Sequence, residues 1–147
     1  MVEDVVESAP GPTDAQLLHL ARDVAANAHV PYSRFPVGAA LLLADGQIVQ
    51  GCNVENASYG LTICAERTAA TRMCAQSPAD GAAARRIEVA AVVGLKASPC
   101  FPCGACRQVL HEFGCRYVVV EEGGEPKRYP FAEILPHGFG PADLDLH

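Results

Sequence analysis

Apolar positions along the chain change period several times, and the changes predict its elements. Leu17, Leu18, Ala21, Val24 and Ala25 recur at helical spacing. Thr13 followed by Gln16 has the form of a capping box, so a helix is predicted from residue 13 to about 28, stopped by Pro31. Two strand-like runs at 37–44 and 47–52 are joined by Asp45-Gly46, a strong hairpin signal. Residues 53–62 are polar and irregular and predict a surface loop. The segment 64–76 is Ala-rich with charges in its first turns and predicts a second helix. The β-branched run at 86–94 predicts a buried strand, and prolines at 99 and 102 break the chain after it. A third helix is predicted over 103–113 and a short strand over 117–120. Gly123-Gly124 then turns the chain toward a last short strand at 127–129, and residues 132–146 mix a helical turn with loop. The order α-β-β-α-β-α-β-β predicts an α/β fold: a three-layer α/β/α sandwich with a mixed sheet of about five strands and helices on both faces. Residues 1–12 read as a flexible tail and 13–147 as one domain.

Composition narrows the function classes. Half the residues are apolar, enough for a core, while the formal net charge is −6. That charge argues against a nucleic-acid partner, since such proteins carry a basic patch or stripe. No apolar stretch approaches the roughly 18 residues that a membrane helix needs. The N-terminus is acidic and Pro-rich and lacks the basic start and apolar middle of a signal peptide, so a cytoplasmic location is expected. Seven cysteines are many for 147 residues, and the count is odd. In a reducing compartment, clustered cysteines are more often metal ligands or catalysts than disulfides.

Two segments carry the chemistry: Cys64-Ala65-Glu66, and Pro102-Cys103-Gly104-Ala105-Cys106. Each falls where a helix is predicted to begin. Free N–H groups and the positive dipole end there favour thiolate over thiol. Three thiolates bind zinc and leave the fourth tetrahedral position open, which is a catalytic arrangement rather than a closed structural one. Glu66 stands two residues past Cys64, and positions i and i+2 of a helix diverge by about 200°. It is therefore placed to carry a proton beside the open position rather than to ligate the metal. Three other readings exist. A redox CxxC belongs after the first strand of its fold, often behind a Trp, and this chain has no Trp. A zinc ribbon needs a second CxxC. Buried packing is the ordinary fate of any one cysteine, but the joint pattern speaks against it.

A His or Cys, any residue, then Glu, followed later by P-C-x-x-C, is the signature of zinc deaminases of nucleobases. The match extends further. The segments P-Y-S-R-F-P-V-G-A-A-L (31–41), G-C-N-V-E-N-A-S-Y-G (51–60), C-A-E-R (64–67), P-C-G-A-C-R-Q-V-L (102–110) and L-P-H-G-F-G-P-A-D-L (135–144) resemble the small homotetrameric cytidine deaminases. Cys64 in place of His is like the tetrameric branch. Phe101 is a departure, because the family often has Ser before the Pro-Cys pair. Phe101 offers no hydroxyl to the leaving amine there, while a backbone carbonyl contact survives.

The resemblance implies one zinc per chain on Cys64, Cys103 and Cys106, with Glu66 as proton shuttle in hydrolytic deamination of cytidine and deoxycytidine. It assigns Asn53 and Glu55 to the ribose; their alternation also puts them on one side of an extended segment. It places Phe35 beside the pyrimidine and the Ala65 backbone on the base carbonyl. It sends Ala57, Tyr59 and Phe139 into a neighbouring subunit's site within a homotetramer. Arg67 is expected to donate to a thiolate sulfur. Three thiolates leave the site at about −1, and a guanidinium that withdraws charge restores acidity to the metal. Arg107 could act similarly. Cys52, Cys74, Cys100 and Cys115 read as packing residues, although Cys100 is close enough in sequence to compete for metal. The five histidines show no ligand spacing and receive no role. Rival readings are deamination of another cytosine-containing molecule, nucleic-acid editing on the same fold, and a redox or structural zinc protein.

Overall fold

The computed structural model describes residues 10–144. Most of the expected N-terminal tail, residues 1–9, and the end of the C-terminal segment, 145–147, lie outside the described residues. The elements are α1 (Asp14–Ala25), β1 (Val37–Leu43), β2 (Ile48–Cys52), α2 (Ala65–Ala75), β3 (Ile87–Gly94), α3 (Gly104–Glu112), β4 (Tyr117–Glu122), β5 (Glu125–Pro130) and α4 (Phe131–Ile134). Single 3₁₀ turns lie at Tyr59–Leu61, Ala83–Arg85 and Pro141–Leu144. The strands form one mixed sheet in the order β2-β1-β3-β4-β5, in which β3 and β4 are parallel and the other pairs antiparallel.

Local chemistry sets the boundaries. Thr13 caps α1 through Gln16 N–H while the Gln16 side chain accepts from Thr13 N–H, the reciprocal bonds of a capping box. The helix ends at Ala25, short of Pro31, in a turn where Ala26 and Asn27 N–H bond back to Asp23 and Val24. At the β1–β2 hairpin Gly46 has φ +89°, a left-handed conformation that glycine adopts freely. Asp45 accepts from Gln47 N–H and closes the turn.

The sheet is covered on both faces. On one, Leu17, Leu18 and Ala21 of α1 pack with Ala40, Val89, Ala91, Val93 and Val119. On the other, Ala69, Ala70 and Met73 of α2, Leu110 of α3, and Phe131 and Ile134 of α4 pack with Leu41, Leu43, Ala90, Val118 and Val120. Two glycines allow the close approach. A Cβ on Gly38 would overlap the Ala21 carbonyl of α1, and one on Gly51 would run into the backbone of Ala65 and Ala69 in α2. Both contacts are backbone against backbone, so neither can yield by rotating a side chain. Gly38→Ala is expected to cost at least about 1–3 kcal/mol of unfolding free energy, the ordinary range for overpacking. Urea denaturation checks this; an unchanged midpoint would mean that α1 can lift from the sheet freely.

The topology gathers one end of the sheet. Val37, which opens β1, pairs with Gly94, which closes β3, and Gly38 pairs with Cys52 at the end of β2. The segments leaving β2 and β3 therefore start from the same edge, and each leads into a helix, α2 or α3. The parallel β3-α3-β4 unit puts the start of α3 outside the carboxyl end of β3, where α/β sheets hold ligands.

Candidate active site

Cys64 and Cys103 occupy the N-cap positions of α2 and α3, with extended backbones (ψ 157° and 170°). Neither sulfur is spent on capping. Cys106 lies in the first turn of α3 and is buried. The sulfurs of Cys64 and Cys103 are 3.8 Å apart, and the Cys103 thiol donates to Cys106 at 3.5 Å. All three fall within 4.8 Å of one another, the one cysteine, histidine or carboxylate group of metal-binding geometry among the described residues. Tetrahedral zinc with Zn–S bonds of about 2.3 Å requires sulfurs about 3.8 Å apart, so the set fits that ion. Cys64 is lowered to about 5, first by the hydrogen bond from Cys106 and then by Arg67, while Cys106 is pushed up by that same hydrogen bond.

Glu66 is 3% exposed, the only charged residue among the described ones to be buried. Burial is the main force that raises its pKa, and the neighbouring Cys64 charge adds to it. The Arg67 guanidinium reaches Cys64 Sγ and the Thr62 carbonyl, each at 3.5 Å, while its buried Nε has no partner. Arg107 turns elsewhere, to the carbonyls of Pro102 (2.8 Å) and Ile134 (2.6 Å). Cys100 is half-buried against Gly94 and is pushed up to about 11 by burial, then by the Glu66 charge. Cys115 is buried, and Cys52 and Cys74 are half-buried; all are free thiols. The Phe101 ring packs edge-on against Tyr129 of β5, with centroids 5.2 Å apart.

The polar stretch after β2 is pinned at its start and end. Val54 and Ile63 exchange two backbone hydrogen bonds of 2.9 Å, which seat residues 53–55 beside the residue that precedes Cys64. His29 pairs with the other side of Val54. Asn53 accepts from Val37 N–H and donates to the Phe35 carbonyl, both at 2.9 Å. Glu55 Oε1 accepts from the N–H groups of Tyr32 (3.0 Å) and Ser33 (3.1 Å), and its pKa is lowered chiefly by the hydrogen bond from the Ser33 side chain. Tyr32, Ser33, Glu55, Tyr59 and Thr62 line one open cavity. Phe35 is half-buried, and Ala65, the first residue of α2, is buried. Ala57, Tyr59 and Phe139 are exposed.

Cys64, Cys103, Cys106, Glu66 and Arg67 thus converge, and Asn53, Glu55 and Phe35 form a second group tied to residues 32–37. Sequence reasoning passed over Tyr32 and Ser33 as wall residues, and Gln108, which donates to the Phe139 carbonyl at 2.7 Å. The only available signal was their place inside segments already singled out.

The family model for the cytidine and deoxycytidylate deaminase zinc-binding region matches residues 12–122. The cytidine deaminase of Mycobacterium tuberculosis (strain H37Rv) is 47% identical over 124 residues, which cover 84% of this chain and 87% of the relative. That of Sporosarcina psychrophila is 46% identical over 120 residues, covering 80% and 84%. The crystal structure of cytidine deaminase from Burkholderia pseudomallei matches with a TM-score of 0.77 at 41% identity, over 87% of this chain and 100% of that one. The three-sulfur group, the mixed sheet and these likenesses agree: the chain belongs to the cytidine and deoxycytidylate deaminase family of zinc-dependent hydrolases.

Proposed function

We propose that the protein hydrolyses cytidine and deoxycytidine to uridine and deoxyuridine, with release of ammonia, in pyrimidine salvage in the cytoplasm. The observation that carries this reading is the juxtaposition of three sulfurs at two helix N-termini with one buried carboxylate. Cys64, Cys103 and Cys106 would hold one zinc ion per chain. Bound zinc supplies a water acidic enough to be a nucleophile near neutral pH. Glu66 moves the protons. Its burial keeps bulk water from competing, and its place in the first turn of α2 sets it against the sulfur group. It takes a proton from the water as the oxygen bonds to C4 and passes that proton to ring N3; it then moves the remaining proton of the new C4 hydroxyl to the amino group, so that the C4–N bond breaks, ammonia leaves and the C4 carbonyl forms. Arg67 draws charge from the Cys64 sulfur.

The ribose falls to Asn53 and Glu55. After its two backbone bonds, Asn53 keeps one N–H and one lone pair, and Glu55 keeps Oε2, enough for a pair of hydroxyls. Phe35 flanks the pyrimidine, and the Ala65 backbone meets the base carbonyl. Ala57, Tyr59 and Phe139 complete the pocket of a neighbouring subunit in a homotetramer; their exposure in the single chain supports that role. The net charge of −6 supports a free nucleoside over a nucleic-acid strand. Elemental analysis joined to an ultraviolet assay of cytidine and deoxycytidine tests the reading. One zinc per chain with conversion to the uracil nucleosides is expected. Activity without zinc would overturn the metal assignment, and a zinc-loaded protein idle on both nucleosides would overturn the substrate.

A further inference from the structure

One face of α3 is committed to the segment that carries Phe139. Gln108 Nε2 donates to the Phe139 carbonyl at 2.7 Å. One turn further on, His111 stacks on Phe131 of α4, with ring centroids 5.9 Å apart and 10° between planes. The edge of the same imidazole fills the space beside Gly138 and Gly140, where an added Cβ on Gly140 would collide with it. Beyond Phe139, Gly140 N–H donates to Asp143 Oδ2 at 2.8 Å, and Asp143 N–H returns a bond to the Gly140 carbonyl at 2.9 Å. The backbone at Phe139 is thus held from both sides while the residue stands 59% exposed. A ring fixed at its base and free at its tip is suited to covering something outside its own chain.

We infer that Gln108, seated beside His111, is a positioning residue that sets where the Phe139 ring stands, so that the helix carrying Cys106 also aims the ring that covers the base. The inference rests on the reading of Phe139 as a cover for the pyrimidine. Gln108 lies about 200° around α3 from Cys106, so it can be altered while the buried ligand stays in place.

Gln108→Met keeps the volume and removes the donor; Gln108→Ala is the second variant should the first fail to fold. Zinc content and thermal midpoint are expected to hold. KM for cytidine is expected to rise by up to about tenfold, the equivalent of one neutral hydrogen bond, with kcat nearly unchanged. In a Phe139→Ala background the same substitution is expected to add nothing, because the ring it aims is gone. The chain has no Trp, so Phe139→Trp gives a single tryptophan, excited apart from the four tyrosines, whose anisotropy should fall when Gln108 is changed. Equal losses in both backgrounds, or an unchanged KM where Phe139→Ala alone raises it, would overturn the inference while leaving Phe139 its role. An unchanged KM for Phe139→Ala itself would overturn the reading beneath it, and the inference with it.

Discussion

Glu66→Ala is expected to keep its zinc and its fold and to lose turnover of cytidine by at least about 10²–10⁴-fold, the range for one general acid–base group. The upper end is expected because one carboxyl serves several transfers and has no stand-in. It is 3% exposed, and no other charged residue among the described ones is buried. Metal should stay because the sulfurs alone make that group. Glu66→Gln is the cleaner partner variant. It keeps the shape and removes only the proton carrier, and since burial already opposes the carboxylate, its thermal midpoint is not expected to fall. Elemental analysis and the ultraviolet assay read both. Release of zinc by Glu66→Ala would make Glu66 a ligand, and the proton-shuttle mechanism would have to be withdrawn.

What could be read from the sequence was what is decided locally. The Thr13–Gln16 box, the Asp45-Gly46 turn and the cysteines that open α2 and α3 each lie within a few residues of their partners, and each falls where expected. The three ligand candidates were legible for the same reason: two short motifs sit at helix starts, and parallel β3-α3-β4 topology brings one start to the end of the sheet. Long-range bonds were hidden. Residues 53–62 look like free loop because the partners of Asn53 and Glu55 lie about twenty residues away, at 32–37. The α1 boundary was drawn too late because Pro31 is visible in a sequence, whereas the turn at 26–27 is not. Gly38 and Gly51 look like weak points in strands until α1 and α2 are laid on them. Gln108 and His111 look like ordinary surface and packing positions on α3, since their partners stand some thirty residues on.

A mixed oligomer of Glu66→Ala and Phe139→Ala chains is expected to be more active than either parent. The exposed apolar side chains motivate the test. Tyr59 is 75% exposed, Leu61 65%, Ile63 43% and Val54 42%, all within one stretch, and Phe139 stands 59% exposed on another. Apolar surface gathered in this way marks a contact surface, and here it sits next to the second residue group of the site. If Phe139 covers the base of a neighbour, each working site needs Glu66 from one chain and Phe139 from another. Random mixing in equal amounts then leaves about one quarter of the sites with both, since each condition is met half the time in a closed symmetric assembly. Neither parent has any such site. If Phe139 instead serves its own chain, every chain in the mixture lacks one of the two groups and mixing gains nothing. The measurement is kcat/KM for cytidine after the two variants are dissociated together and reassembled, compared with the sum of the separate homo-oligomers. Activity no greater than that sum, or light scattering that finds a fully active monomer, would refute the shared site. A gain toward one quarter would mean that the pocket is closed by residues which no single chain can bring to its own zinc.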